Sequence, residues 1–139
     1  GLGSQYLPDG VMIKMERFTY FIGINPDGKR ALYRTNLTTG VAQDTVELVE
    51  DVWDMQIEYG MDTNATPDGA ADIYVDATAV GGNWAQVVSA RINLLLVSPE
   101  NNIVTSPQTY NFNNASVAAG DRRMYQSFNA TIGIRNRLP

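Results

Sequence analysis

The stretch that most constrains the fold is VVSARINLLLVS, residues 87–98, which ends at Pro99. Alternate positions in it are apolar and share one face of an extended strand, namely Val88, Ala90, Ile92, Leu94 and Leu96. A helix is the alternative, because some of these residues also recur at helical spacing, but the β-branched side chains and the stop at Ser98-Pro99 favour a strand. We therefore predict a strand with this face on a core, to which shorter segments pair.

Strand-like alternation also marks the regions nearer the two ends of the chain. Residues 12–24 and 30–35 flank Asn25-Pro26-Asp27-Gly28, a turn sequence, and predict a β-hairpin. A half-buried strand is predicted from Trp53 to Gly60, and a last strand over residues 124–135. One face of the last strand carries Phe128, Ala130, Ile132 and Ile134.

The remaining segments predict one short helix and several loops. Asp44 and Glu47 have the spacing of a capping box ahead of an apolar run, which predicts a short helix up to Val52. Residues 61–83 are polar and predict a long loop with a short extended piece at residues 73–75. Pro107 makes residues 103–112 an edge strand or an irregular connection, and residues 113–120 are predicted as a loop.

These elements together predict a mainly β protein. Short alternating strands between turn residues, with one short helix, are typical of an antiparallel sheet of about five or six strands. The length fits a single globular domain over residues 5–139. Residues 1–4, GLGS, resemble a cloning remnant and are left out of the fold prediction.

The composition argues against several classes of function. The chain has no Cys and no His, which removes thiolate nucleophiles, Cys/His zinc sites and imidazole acid–base catalysis. Its net charge of -5 would repel a phosphate backbone, so nucleic acid is not an expected partner. The sequence has no run of roughly 18 to 20 apolar residues, the length that spans a bilayer.

Five segments match the motifs of one protein family. LVEDVWDMQIEYGMDT, residues 48–63, is similar to a signature LVEGVxxMQxxYGxDT, with Asp51 where the signature has Gly. WAQVVSARINLLLVSP, residues 84–99, is similar to WxxVVxVRxxLLxxSP, and ALYR, residues 31–34, to SLYR. The DRR that starts at Asp121 and the RNRLP that ends the chain complete the set. These motifs and their order along the chain resemble those of the PilW-type minor pilins of type IV pilus assembly.

The resemblance implies a structural, non-catalytic subunit with other major and minor pilins as its partners. Such proteins are similar to the J-type pseudopilins of type II secretion. They are expected to act on the periplasmic side of the inner membrane and to reach the pilus tip. Family members begin with a leader peptide and a long apolar helix. The helix makes the intact protein α+β. The resemblance here covers the carboxy-terminal, pilin-like head, so a membrane contact is expected only through such a helix.

The sequence also offers a candidate calcium site in the loop after Gly60. Its ligands would be Asp62, Asn64, Asp68 and Asp72. Calcium prefers six to eight oxygen ligands, and acidic and amide side chains close together in a glycine-containing loop can supply them. The loop departs from the usual pattern, because its Asp-Gly pair comes two residues late and Thr66-Pro67 takes the place of the third ligand. A solvated loop whose residues serve only turns is the alternative.

Three further groups of residues are candidates for binding or catalysis. A basic cluster near the end of the chain could dock an acidic pilin partner, and consists of Arg122, Arg123, Arg135 and Arg137. Aromatic residues could form the platform of a tip-exposed adhesin or calcium-dependent recognition module, and are Trp53, Tyr59, Tyr74 and Trp84. Acidic residues could act as the carboxylates of a glycosidase, and are Glu47, Glu50, Asp51 and Asp54. The simpler alternatives are surface ion pairs, core packing and a charged helix face.

Overall fold

A computed structural model describes residues 15–38 and 44–134. The strands in these residues are β1 (Phe18–Ile24), β2 (Arg30–Asn36), β3 (Thr45–Glu50), β4 (Val52–Met61), β5 (Ile73–Val75), β6 (Val87–Val97), β7 (Thr109–Phe112), β8 (Ala115–Ala118) and β9 (Tyr125–Gly133). They form three antiparallel sheets, ordered β1-β2-β3, β5-β4-β6-β9 and β7-β8. One short helix, α1 (Ala77–Val80), precedes a 3₁₀ turn at Trp84–Gln86. The predicted class, mainly β and antiparallel with one short helix, is confirmed.

The predicted hairpin is formed by β1 and β2. Its turn is held by Asn25, whose Oδ1 accepts hydrogen bonds from the backbone N–H groups of Asp27 at 3.1 Å and Lys29 at 2.9 Å. Gly28 has a φ of 77°, a left-handed conformation that glycine adopts without a steric penalty. The Asn-Pro-Asp-Gly sequence therefore specifies the turn through both its side chain and its backbone.

The helix predicted between Asp44 and Val52 is wrong, because residues 45–50 form strand β3. In this strand Val46 and Val49 lie opposite Arg34 and Leu32 of β2. Glu47 does not cap a helix but accepts a hydrogen bond from the Tyr33 hydroxyl at 2.9 Å. The β-branched residues and the free edge of the hairpin favour the strand over a helix that the capping pattern alone had suggested.

A sharp bend at Asp51 carries the chain from the first sheet into the second. Asp51 has a φ of 60°, in the left-handed region. Its N–H donates to the carbonyl of Arg30 at 2.8 Å, and its carbonyl accepts from the N–H of Val97 at 3.0 Å. This one residue therefore ties β2 of the first sheet to β6 of the second.

The second sheet is built around β6, as the sequence predicted. Its neighbours β4 and β9 correspond to the strands predicted over residues 53–60 and 124–135, and β5 to the extended piece at residues 73–75.

Met61, Val80 and Val87 form a small buried cluster where α1 contacts the end of this sheet. Asp76 caps α1, since its Oδ1 accepts from the N–H of Ala79 at 2.8 Å. None of the described helices is long and apolar enough to cross a membrane.

The prediction for the two faces of β6 needs a correction. The alternation is right, but the fully buried positions are mostly on the other face, and include Ser89, Asn93, Leu95 and Val97. Ala90, Ile92, Leu94 and Leu96 are only half-buried. The physical reason is a long-range contact. The β7-β8 hairpin and the side chain of Tyr74 lie over the face that carries Ser89 and Asn93, which we call the polar face.

The loop predicted over residues 113–120 is also wrong, because it contains the turn and second strand of that hairpin. Asn113 and Asn114 have φ values of 49° and 59° and form the two-residue turn between β7 and β8. Two left-handed residues in a row are what a tight hairpin turn requires, and asparagine tolerates this conformation better than most residues. Both alternatives predicted for residues 103–112 occur, because the backbone is irregular up to Gln108 and β7, which begins at Thr109, is an edge strand of the two-stranded sheet.

Candidate functional site

The most extensive candidate site is the apolar face of the second sheet, which we call the open face. Strand pairing sets Ile57, Ile92 and Ala130 in one row across β4, β6 and β9. Flanking rows are Met55, Leu94 and Phe128 on one side, and Tyr59, Ala90 and Ile132 on the other. No element of the described part of the chain covers this face fully, since Phe128 is 53% and Ile132 55% exposed. Contiguous exposed apolar surface of this kind marks an interaction site.

The sheet also has an open edge at β9. This strand pairs with β6 through an uninterrupted register from Tyr125 to Gly133, and within the described residues it has no partner on its other side. Its sequence, YQSFNATIG, contains no charged residue and no proline. Edge strands of soluble proteins are usually protected by charges, prolines or bulges. The absence of these devices from β9 makes the edge a second candidate contact surface.

The four candidate calcium ligands come together in one loop, where hydrogen bonds to the chain occupy much of their oxygen. Asp62 is buried, and its Oδ2 accepts from the N–H groups of Asp68 at 2.9 Å and Gly69 at 2.7 Å. Asp72 Oδ2 accepts from the N–H and hydroxyl of Thr63 at 2.7 and 3.0 Å. The Asn64 side chain donates to the other oxygen of Asp72 at 3.3 Å.

These bonds show how the loop is ordered by its own carboxylates. The hydrogen bonds from two N–H groups to one buried carboxylate oxygen are charge-assisted and belong to the stronger kind. Among residues 15–38 and 44–134, no group of three or more acidic side chains is arranged to hold a metal ion. Calcium would have to compete with the N–H donors for the same oxygens of Asp62 and Asp72, and its binding stays a prediction.

The candidate basic cluster is only partly described, because Arg135 and Arg137 lie outside the described residues. Arg123 forms an ion pair with Asp121 at 3.4 Å and donates to the carbonyls of Ser98 at 3.1 Å and Pro99 at 2.7 Å. The guanidinium of Arg122 donates to Asn102 Oδ1. Both side chains therefore join the turn after β6 to the start of β9, and a docking role for the cluster stays a prediction.

The aromatic candidates are dispersed, and the acidic candidates are divided between β3, the bend at Asp51 and, for Asp54, β4. Tyr59 and Trp84 contact edge to face at 4.9 Å between ring centroids, whereas Tyr74 lies beneath the guanidinium of Arg91 and Trp53 beneath that of Arg30.

Glu47 and Glu50 lie on β3, and both accept from the Asn25 amide, at 3.5 and 3.2 Å. Glu50 also binds Lys29 at 3.1 Å, and this hydrogen bond raises the pKa of Lys29 above its ordinary value. These acidic residues are therefore held by structural partners in the first sheet and its turn.

A site that the sequence analysis missed lies on the polar face, beneath the turn of the β7-β8 hairpin. It is a cleft of about 190 Å³, which we call the asparagine cleft, and its lining is Asn93, Asn111, Phe112, Asn113, Asn114, Ser127, Phe128 and Asn129. The available signal was the run NFNN over residues 111–114 together with Asn93 and Asn129 on predicted strands. Nothing local in the sequence indicated that these three parts of the chain meet.

Comparisons with known proteins give one match. The family model described as Type IV Pilus-assembly protein W matches residues 19–136. The match includes β3, the bend at Asp51 and all four strands of the second sheet. Neither the curated proteins nor the solved structures include a match to this chain.

Proposed function

Because the chain belongs to the type IV pilus-assembly protein W family, we propose that it is a non-catalytic minor pilin that helps to initiate and assemble type IV pili. Family membership associates it with type IV pilus assembly at the cell envelope. The proposed partners are other major and minor pilin subunits. The proposed location is the periplasmic side of the inner membrane during assembly and the pilus tip afterwards.

The observation that carries this proposal is the open face. A sheet normally buries its apolar face against another layer, but the layer seen here, the β7-β8 hairpin, lies on the polar side. Full burial of an exposed aliphatic or aromatic side chain contributes about 1.5–3 kcal/mol. Covering the half-exposed Phe128 and Ile132 would therefore contribute about 1 kcal/mol each, with further gains along the rows.

We propose an apolar helix as the element that covers the open face. The family resemblance implies such a helix ahead of the head domain, and helices commonly pack on one face of an antiparallel sheet. The same helix would provide the membrane contact of the intact subunit. The open edge at β9 would then lie beside this helix, where an extended segment of a neighbouring subunit can pair with it.

The experiment places a lysine on each side of the same sheet. In the source bacterium, Ile57→Lys and Ile132→Lys are introduced into the full-length protein, with Thr131→Lys as the matched control on the polar side of β9. We expect the two open-face variants to lower the amount of pili sheared from cells at least tenfold, and the control to keep the wild-type amount.

Protein levels separate an assembly defect from a folding defect. Immunoblots should show each variant at a level close to wild type, because the substituted side chains are exposed in the isolated head. Wild-type piliation in both open-face variants at normal protein levels would contradict the proposal that this face is a subunit interface.

A further inference from the structure

We infer that the asparagine cleft binds a neutral saccharide, a function beyond the proposed role in pilus assembly. The first argument is composition. Five of the eight lining residues are asparagine, one is serine, two are phenylalanine, and none is charged. An amide offers two donors and one acceptor, and a sugar hydroxyl likewise both donates and accepts. The cleft provides no counter-charge for an ionic ligand, and the chain as a whole carries a net charge of -5.

The second argument is that the buried carboxylate of Glu58 orients two of the amides. Glu58 is 8% exposed. Its two oxygens accept from the Nδ2 groups of Asn93 at 3.2 Å and Asn114 at 2.8 Å. Because an ionised carboxylate can only accept, both amides must turn their nitrogen towards it. Their Oδ1 atoms are left as acceptors in fixed orientations.

Glu58 is itself held in place from behind. The Arg91 guanidinium lies 3.6 Å from its Oε2 and stacks over the ring of Tyr74 at 3.6 Å from the ring centroid. A chain of contacts thus runs from Tyr74 through Arg91 and Glu58 to the two amides. Binding groups fixed in this way lose little conformational freedom when a ligand arrives.

The third argument concerns the groups that remain available. The side-chain amides of Asn111, Asn113 and Asn129 make no hydrogen bond to any other described residue. They can therefore donate to a ligand as well as accept from it. Phe112 adds apolar surface to the lining, which suits the C–H face of a pyranose ring, whereas strand pairing places the side chain of Phe128 on the open face. A few polar groups placed among aromatic side chains are typical of small-ligand sites.

The position of the cleft favours a compact ring over an extended peptide. It lies between the hairpin turn and strands β6 and β9, whereas an extended segment would find its hydrogen-bonding partners along the outer edge of β9. We therefore assign the cleft to one terminal sugar residue of a larger glycan.

The test uses the purified chain on an array that displays neutral and sialylated glycans, followed by titration with the best soluble ligand. We expect binding to glycans with a neutral terminal hexose or N-acetylhexosamine. Asn111→Ala and Asn129→Ala should each weaken this binding about five- to tenfold, as the loss of one or two hydrogen bonds predicts. Asn83→Ala is the matched control, because Asn83 is exposed, makes no side-chain cap and lies outside the cleft.

Three results would overturn the inference. They are the absence of any neutral glycan bound at millimolar concentration, binding confined to sialylated glycans or extended peptides, and binding that Asn111→Ala and Asn129→Ala leave unchanged. Any of these would leave the assembly proposal intact, because its test positions lie on the open face on the other side of the sheet.

Discussion

The bend at Asp51 provides the sharpest test of how the two sheets are joined. Asp51 adopts a φ of 60°, and its backbone makes hydrogen bonds to Arg30 and Val97 that no change of side chain removes. A substitution at this position therefore isolates the cost of the backbone conformation. The PilW-type signature has glycine here, which is the residue that a left-handed bend favours.

The magnitudes follow from the conformation. Left-handed backbone costs an L-residue about 1–2 kcal/mol, and aspartate lies at the low end of this range. Glycine avoids that cost but loses about 0.5–1 kcal/mol through greater freedom in the unfolded chain. We therefore expect Asp51→Gly to change the free energy of unfolding by less than about 1 kcal/mol. A β-branched residue is a strong outlier in this region, so Asp51→Val should lose about 2 kcal/mol.

Urea unfolding of the wild type and the variants measures these differences as shifts in midpoint at constant slope. Asp51→Asn is the control, because it removes the charge near Lys29 while keeping a side chain that tolerates positive φ. The reasoning would be refuted if Asp51→Val were as stable as the wild type. It would also be refuted if Asp51→Gly were destabilised as much as Asp51→Val.

Three further predictions concern packing, pH and calcium. A Cβ on Gly60 would lie 2.2 Å from the Ser89 hydroxyl, so Gly60→Ala should lower the free energy of unfolding by more than about 2 kcal/mol. Gly82→Ala is the control, because a Cβ there would meet open space and should change the unfolding midpoint little. Burial and the hydrogen bond to Asp121 raise the pKa of Tyr125 above its ordinary value of 10.0, so the folded state should lose stability as the pH rises above 10. Above pH 10, the free energy of unfolding of Tyr125→Phe should therefore depend less on pH than that of the wild type. If Asp62 and its loop bind calcium, the melting temperature should be higher in millimolar calcium than in chelator, and equal values would remove the hypothesis.

Local sequence patterns predicted the strands well where a long alternation or a recognisable turn sequence marked them. The Asn25-Pro26-Asp27-Gly28 turn was recognisable because its side chain and its glycine both act within four residues. The alternation in β6 and β9 correctly grouped the side chains that share a face. By contrast, the pattern Asp44-Thr-Val-Glu47 fits a helix cap as well as a strand, and only the position of β2 decides between them.

Which face of a sheet is covered depends on segments that are distant in the sequence. Alternation shows that Ile92 and Leu94 lie on the same side, but not whether another element lies on that side. The β7-β8 hairpin returns over the polar face and is anchored there by a bond from Asn114 to Glu58, residues separated by 56 positions. The asparagine cleft forms under the same hairpin, and for the same reason no local motif indicated it.

The position of the hairpin also links the two proposals made for this chain. The hairpin covers part of the polar face through the bond of Asn114 to Glu58, whereas the exposed open face is left to the proposed helix. A helix bound there would leave the asparagine cleft on the opposite side, away from the assembly contact. The two surfaces can therefore work at the same time, and open-face variants that lose piliation should still bind sugar as purified chains.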